Sequence, residues 1–132
     1  MPHVIIEYSA NLEPQVDIAG LCEALRASAA AQEIFPEDGV RVRALRAEHY
    51  AIADADPDNA FIDISVRLRG GRPLAARKAA TAAIFDAART FLAEVIATTP
   101  IMLSLEMRDI DPELSPKLNT IRDRIKKEAG NG

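Results

Sequence analysis

The chain has 132 residues, a mass of 14.3 kDa and a formal net charge of −4. This length suits a single domain, residues 1–132, and the mixed charges argue against a protein that binds nucleic-acid phosphates. We find no apolar run long enough for a membrane helix and no secretory signal, and Cys22 is the only cysteine. A cytoplasmic protein with no disulfide within the chain is therefore expected.

Alanine is unusually prominent among the apolar residues. It accounts for 24 of the 64 apolar residues, and the chain has no tryptophan. A chain of this size buries only about two-thirds of its unfolded surface. Because so much of the apolar content is methyl-sized, we expect the core to be completed by association into a homo-oligomer.

The first half of the chain, about residues 1–58, predicts a strand, a helix and a second strand. A β-branched run predicts strand 4–9. Apolar residues at helical spacing, preceded by an aspartate that can cap them, predict helix 17–31. A Pro-Glu-Asp-Gly turn at 36–39 then leads to an extended segment, 40–53.

The second half, about residues 59–114, repeats this order after a polar loop. Alternating apolar and polar residues predict strand 62–69, and a broad apolar stripe predicts one long helix over 73–97. A second alternating run predicts strand 101–108. In the tail, 115–132, a short terminal helix is expected to start at Ser115-Pro116 and to fray from Glu128, with its apolar residues at Leu118, Ile121 and Ile125.

Two strand–helix–strand units indicate an α+β fold. Each unit favours parallel pairing and a right-handed crossover, so the prediction is a four-stranded mixed sheet with two helices on one face. The other sheet face is charged, and neighbouring subunits are expected to cover part of it. Its residues are Glu7, Arg41, Arg43, Asp63, Ser65, Arg67, Glu106 and Arg108.

The sequence lacks the common cofactor and metal motifs. We expect the two histidines, His3 and His49, to be isolated, and no pair of histidines or cysteines has metal-ligand spacing. The aspartates at 54, 56 and 58 resemble the start of a calcium loop, but its glycine and closing glutamate are missing. Neither a metal nor a cofactor is expected.

Pro2 is the first candidate for chemistry. Removal of Met1 would leave a secondary amine immediately before the first strand. A terminal amine titrates near neutrality, and its pKa falls in a dry pocket beside cations, so it can act as a general base. The alternative is that the Met-Pro start has no chemical role.

Arginines supply the second feature. Arg72 lies at the edge of the second predicted helix, and Arg77 and Lys78 lie in its first turns. Cations are unfavourable at a helix N-terminus, so a bound anion would relieve the conflict there. Arg41 and Arg43 could form a second carboxylate site, whereas the alternative is a solvated basic surface. Together with Pro2, they suggest metal-free proton transfer on a di- or tricarboxylate.

Several short segments are informative through their order and spacing. They are Met-Pro-His-Val-Ile-Ile-Glu-Tyr-Ser-Ala-Asn at 1–11, Ile-Phe-Pro at 34–36, Gly-Val-Arg-Val-Arg-Ala at 39–44, Ala-Asp at 53–54, Asp-Asn-Ala-Phe at 58–61, Gly-Arg at 71–72 and Leu-Ser-Leu-Glu at 103–106. Together they resemble the 5-carboxymethyl-2-hydroxymuconate isomerase family, and the resemblance covers residues 1 to about 123. This family belongs to the tautomerase superfamily, with 4-oxalocrotonate tautomerase and macrophage migration inhibitory factor as relatives.

The resemblance implies a tautomerase fold and a homotrimer with active sites at subunit boundaries. It assigns acid–base catalysis to Pro2 and carboxylate binding and charge stabilisation to Arg41 and Arg72, with Arg43 and Arg77 as further substrate-binding residues. The implied reaction isomerises the dienol 5-carboxymethyl-2-hydroxymuconate to its conjugated 2-oxo isomer in homoprotocatechuate breakdown.

Other readings remain open. One is a related proline-dependent tautomerase, hydratase or decarboxylase that acts on another small keto or dienol acid. Another is a non-catalytic trimer that binds ligands.

Overall fold

The computed structural model describes residues 2–131. Met1, whose removal the proline hypothesis requires, and Gly132, the last residue of the predicted tail, lie outside the described residues. The strands are β1 His3–Ser9, β2 Arg41–Ala47, β3 Ala60–Arg69 and β4 Ile101–Ile110. The α-helices are α1 Ile18–Ala30, α2 Leu74–Phe91, α3 Ala93–Thr98 and α4 Thr120–Asn131.

The four strands form one mixed sheet in the order β2-β1-β3-β4. The pairs β1–β2 and β3–β4 are parallel, as predicted, and β1–β3 is antiparallel. The first residues of β1 and β2 therefore lie at the same end of the sheet as the last residues of β3 and β4. We call this end of the sheet the Pro2 end, because Pro2 immediately precedes β1.

The core lies on one face of the sheet, under α1 and α2. Alternate residues of β1 and β3 point into it, and Val4, Ile6, Ile62 and Ile64 are fully buried. Cys22 packs at the margin of this core, where burial raises the pKa of its thiol. The predicted fold class is therefore confirmed: a four-stranded mixed sheet carries two long helices on one face.

The extended segment predicted over 40–53 is too long. β2 ends at Ala47 because its partner Ser9 is the last residue of β1. Beyond that point the chain leaves the extended conformation, and Ala53, the last residue of the predicted segment, has a φ angle of 52°.

The single helix predicted over 73–97 is also wrong in detail. Leu92 leaves the helical conformation, with φ −93° and ψ 9°, and separates α2 from α3. Its side chain is 2% exposed and continues the buried stripe of Ile84 and Ala88, so the apolar face runs on through the break. Val95, in α3, is also buried.

The tail differs most from the prediction. A short 3₁₀ turn occupies Pro112–Leu114, and α4 begins at Thr120 rather than near Ser115. The Asn119 side chain caps the helix, since its Oδ1 accepts from the Arg122 N–H at 3.1 Å. The expected fraying from Glu128 is not seen, because α4 continues to Asn131. In the part of the chain that the structure describes, no helix is long and apolar enough to cross a membrane.

Candidate active site at the Pro2 end

Pro2 is buried immediately before β1, which lies between the start of β2 and the end of β3 in the sheet. Its carbonyl oxygen accepts a hydrogen bond from the Arg41 N–H at 3.3 Å. Proline has no N–H to contribute to a sheet, so the first position before a strand suits it. The sheet therefore holds the Pro2 backbone in a fixed place next to Arg41.

Arg41 and Arg43 meet His3 on the charged face of the sheet. Arg41 Nε donates to His3 Nδ1 at 3.2 Å, and Arg41 Nη2 lies 2.7 Å from His3 Nε2. Arg43 Nη1 lies 3.3 Å from His3 Nδ1. The register explains the meeting, because His3 and Arg41 are direct partners in the β1–β2 ladder. The prediction that His3 is isolated was therefore wrong. His49, by contrast, is exposed in the loop after β2.

The pKa of His3 is lowered to about 4. Burial is the main cause, followed by the charges of Arg41, Arg67 and Arg43. The imidazole is therefore neutral at pH 7 and adds no charge between the guanidinium groups. A neutral ring nitrogen can accept a hydrogen bond from Arg41, which a protonated ring could not do.

A cavity of about 410 Å³ opens beside this cluster. One side of the cavity is the sheet, with His3, Arg41 and Arg67, and the other side is the tail. The remaining lining residues are Gly39, Ile110, Ser115, Pro116, Lys117, Leu118, Asn119 and Arg122. The cavity is strongly cationic and suits an anionic ligand.

Arg72 and Arg77 do not join this cavity within one chain. Gly71 has a φ of 99°, a conformation that glycine adopts easily, and this turn places Arg72 on the surface after β3. Arg77 Nε donates to the Arg72 carbonyl at 3.2 Å, and its Nη1 lies 3.9 Å from Asp109 Oδ1. Arg77 lines a second, more apolar groove of about 680 Å³ between α2 and β4.

Of the five predicted site residues, the structure places Pro2, Arg41 and Arg43 at the Pro2 end, where only Arg41 lines the cavity. Arg72 and Arg77 lie elsewhere on the chain. Three cations that the sequence did not assign to the site line the cavity: Arg67, Lys117 and Arg122. Arg67 could have been found from the alternation of β3, which places it opposite His3. Among the described residues, no group of three or more His, Cys, Asp and Glu side chains is arranged to hold a metal.

The fold defines the class of protein. The symmetric trimer of a wild-type fused 4-OT superposes with a TM-score of 0.66 over 90% of this chain and 96% of that chain, at 17% identity. At that identity the likeness concerns the fold alone. The repeated βαβ sheet of this chain is therefore a tautomerase fold.

Closer relatives define the family. The sequence profile of 5-carboxymethyl-2-hydroxymuconate isomerase matches residues 2–125. The Escherichia coli 5-carboxymethyl-2-hydroxymuconate Delta-isomerase is 30% identical over 126 residues, which cover 96% of this chain and 100% of the relative. The crystal structure of a 5-carboxymethyl-2-hydroxymuconate isomerase from Deinococcus radiodurans R1 has a TM-score of 0.87 at 32% identity, covering 94% of this chain and 93% of that chain. This chain belongs to the 5-carboxymethyl-2-hydroxymuconate isomerase family.

Proposed function

We propose that this protein isomerises 5-carboxymethyl-2-hydroxymuconate to its conjugated 2-oxo isomer, with the Pro2 nitrogen as the proton carrier. The observation that carries the proposal is the burial of Pro2 beside the Arg41–Arg43–His3 cluster. Burial and nearby cations both lower the pKa of an amine, so a free Pro2 nitrogen would be unprotonated at neutral pH.

The proposed reaction moves one proton and shifts three electron pairs. The Pro2 nitrogen takes the proton of the 2-hydroxyl, and the O–H pair becomes the second bond of the 2-oxo group. The C2–C3 double bond moves to C3–C4, and the former C4–C5 pair takes a proton at C5 from the Pro2 ammonium. The atoms and charges balance without a cofactor.

The arginines supply binding and charge stabilisation in this proposal. Arg41, with Arg43, holds a substrate carboxylate and stabilises the charge that develops on the 2-oxo oxygen. The Arg41 N–H donates to the Pro2 carbonyl, so the backbones of these two residues are held side by side. His3 accepts from Arg41 and orients it.

A homotrimer would complete the site. Arg72 is exposed and lies outside the cavity of its own chain, so we propose that Arg72 and Arg77 reach the active site of a neighbouring subunit. The exposed, charged sheet face and the trimer of fused 4-OT support this assembly. Since Cys22 is carried as a free thiol, we also propose a cytoplasmic setting.

The activity can be tested on the dienol itself. Purified protein should speed the loss of the conjugated dienol absorbance, and the product should carry one solvent proton at C5. Pro2→Ala, which makes the terminal amine primary and more mobile, should lower kcat/KM without abolishing it. Arg26→Ala is the matched control, because Arg26 forms an exposed pair with Glu23 on α1. A rate equal to that of the buffer alone would contradict the proposal.

A further inference from the structure

The cavity at the Pro2 end has more positive charge than the residues assigned so far explain. Arg67 enters from β3, while Lys117 and Arg122 enter from the C-terminal arm, which we define as residues 111–131. The arm is thus part of the cavity wall and not a loose extension. Its cations therefore need an explanation.

Specific bonds fix the arm over the cavity. Arg122 Nε donates to Asp38 Oδ2 at 2.8 Å, and Asn119 Nδ2 donates to the Asp38 carbonyl at 2.9 Å. The Arg122 guanidinium holds the pKa of the Asp38 carboxyl below its usual range, with smaller contributions from Lys126 and Lys117. Asp38 lies in the turn that leads into β2, so the arm is anchored beside Arg41.

The charges in the cavity differ in how they are compensated. Arg122 is neutralised by Asp38. The ion pairs found between the described residues leave Arg41, Arg67 and Lys117 without a carboxylate within 4 Å. His3 cannot compensate them, because an imidazole carries no negative charge in either protonation state. Three uncompensated cations therefore face one cavity.

Arg41, Arg67 and Lys117, together with the arginines proposed above, give the site enough positive charge for a ligand with three carboxylates. The proposed substrate differs from a plain hydroxymuconate only by its carboxymethyl group, which carries the third carboxylate. We propose that Lys117, assisted by Arg67, binds the carboxymethyl carboxylate and so makes the site specific for tricarboxylates; this inference rests on the proposed function. The C-terminal arm is then a substrate-binding segment, and Asn119 and Arg122 are positioning residues for Lys117.

Two substrates separate this role from general charge attraction. Lys117→Met keeps the aliphatic stem and removes the charge. It should lower kcat/KM for 5-carboxymethyl-2-hydroxymuconate by about ten- to a hundredfold, mainly through KM, because a charge-assisted hydrogen bond is lost. It should change kcat/KM for 2-hydroxymuconate, which lacks the carboxymethyl group, less than about threefold. Lys117→Arg should recover most of the activity on the tricarboxylate.

Lys127→Met is the matched control, because Lys127 is exposed on α4 and does not line the cavity. This substitution should leave kcat/KM unchanged for both substrates. An equal loss with both substrates, or no loss with either, would overturn the proposed role of Lys117.

Binding by calorimetry distinguishes failure of this inference from failure of the proposed function. Wild-type protein should bind tricarballylate at least about tenfold more tightly than glutarate, and Lys117→Met should remove that difference. If the protein turns over neither dienol but shows this binding pattern, the isomerase proposal fails and the tricarboxylate site stands. If tricarballylate and glutarate bind equally well to the wild type, the inference is wrong whatever the activity.

Discussion

His3 and Arg41 face each other across β1 and β2, and the Arg41 guanidinium donates to the His3 ring at 3.2 Å. Arg43 approaches the same ring at 3.3 Å. The result is a neutral imidazole among cations, one residue away from Pro2. This arrangement orients Arg41 and leaves its charge available to an anion.

The first prediction concerns the dependence of stability on pH. Because the pKa of His3 falls from 6.5 to about 4 on folding, the folded chain binds fewer protons than the unfolded chain between these values. The free energy of unfolding should therefore decrease as the pH falls through this window. The free energy of unfolding of the His3→Gln variant, measured by urea unfolding, should decrease less over the same pH window. Parallel curves for the two proteins would contradict the lowered pKa.

The alternation of the strands made most of the fold predictable. The pattern from Ile62 to Leu68 specifies a strand with one buried face, and the repeat of strand–helix–strand specifies the pairing. The break at Leu92 was not predictable, because the apolar helical pattern of the sequence continues through it and Leu92 is buried like the stripe residues before it.

The arrangement of the candidate site was predictable in part for a related reason. Pro2 and Arg41 stand out as chemical features, and their meeting follows from the pairing of β1 with β2. Lys117 could not be found, because its position depends on the contact of Arg122 with Asp38, 84 residues away in the sequence. No local pattern encodes such a contact.

The second prediction concerns the arginines. Arg41→Ala and Arg72→Ala should each lower kcat/KM on the dienol by about ten- to a hundredfold, since each removes a charge-assisted hydrogen bond. Lysine at either position should restore only part of the rate, because it lacks the planar fork. An unchanged kcat/KM for both alanine variants would show that Arg41 and Arg72 do not belong to the active site.

The third prediction concerns assembly. Leu45 on β2 and Met102 on β4 are 50% and 57% exposed on the charged face, and both lie on edge strands. If this face meets other subunits, Leu45→Asp should raise the protein concentration below which the proposed trimer dissociates by at least about tenfold. Sedimentation measures the effect.

Ile96→Asp is the control for assembly, because Ile96 is 40% exposed on α3, a helix and not part of the sheet. It should leave the trimer intact. Dissociation by Ile96→Asp but not by Leu45→Asp would place the interface elsewhere.

The fourth prediction concerns the anchor of the C-terminal arm. Asp38→Asn removes the charge that pairs with Arg122, so the arm should detach more often and trypsin should cleave after Lys117 several-fold faster. Asp86→Asn is the control, because it breaks an exposed pair with Arg89 on α2. Equal cleavage rates for the Asp38 variant and the wild type would contradict the anchoring role.

The central claim is that a free Pro2 nitrogen carries the proton. The most direct measurement compares two samples of this chain, one with Met1 removed and one with Met1 retained, each verified by intact mass. In the processed sample kcat/KM should rise with pH as the Pro2 ammonium loses its proton. In the sample that retains Met1, the Pro2 nitrogen is an amide and cannot accept the proton, so turnover should vanish while sedimentation still reports a trimer. Equal turnover by the two samples would show that Pro2 is not the base.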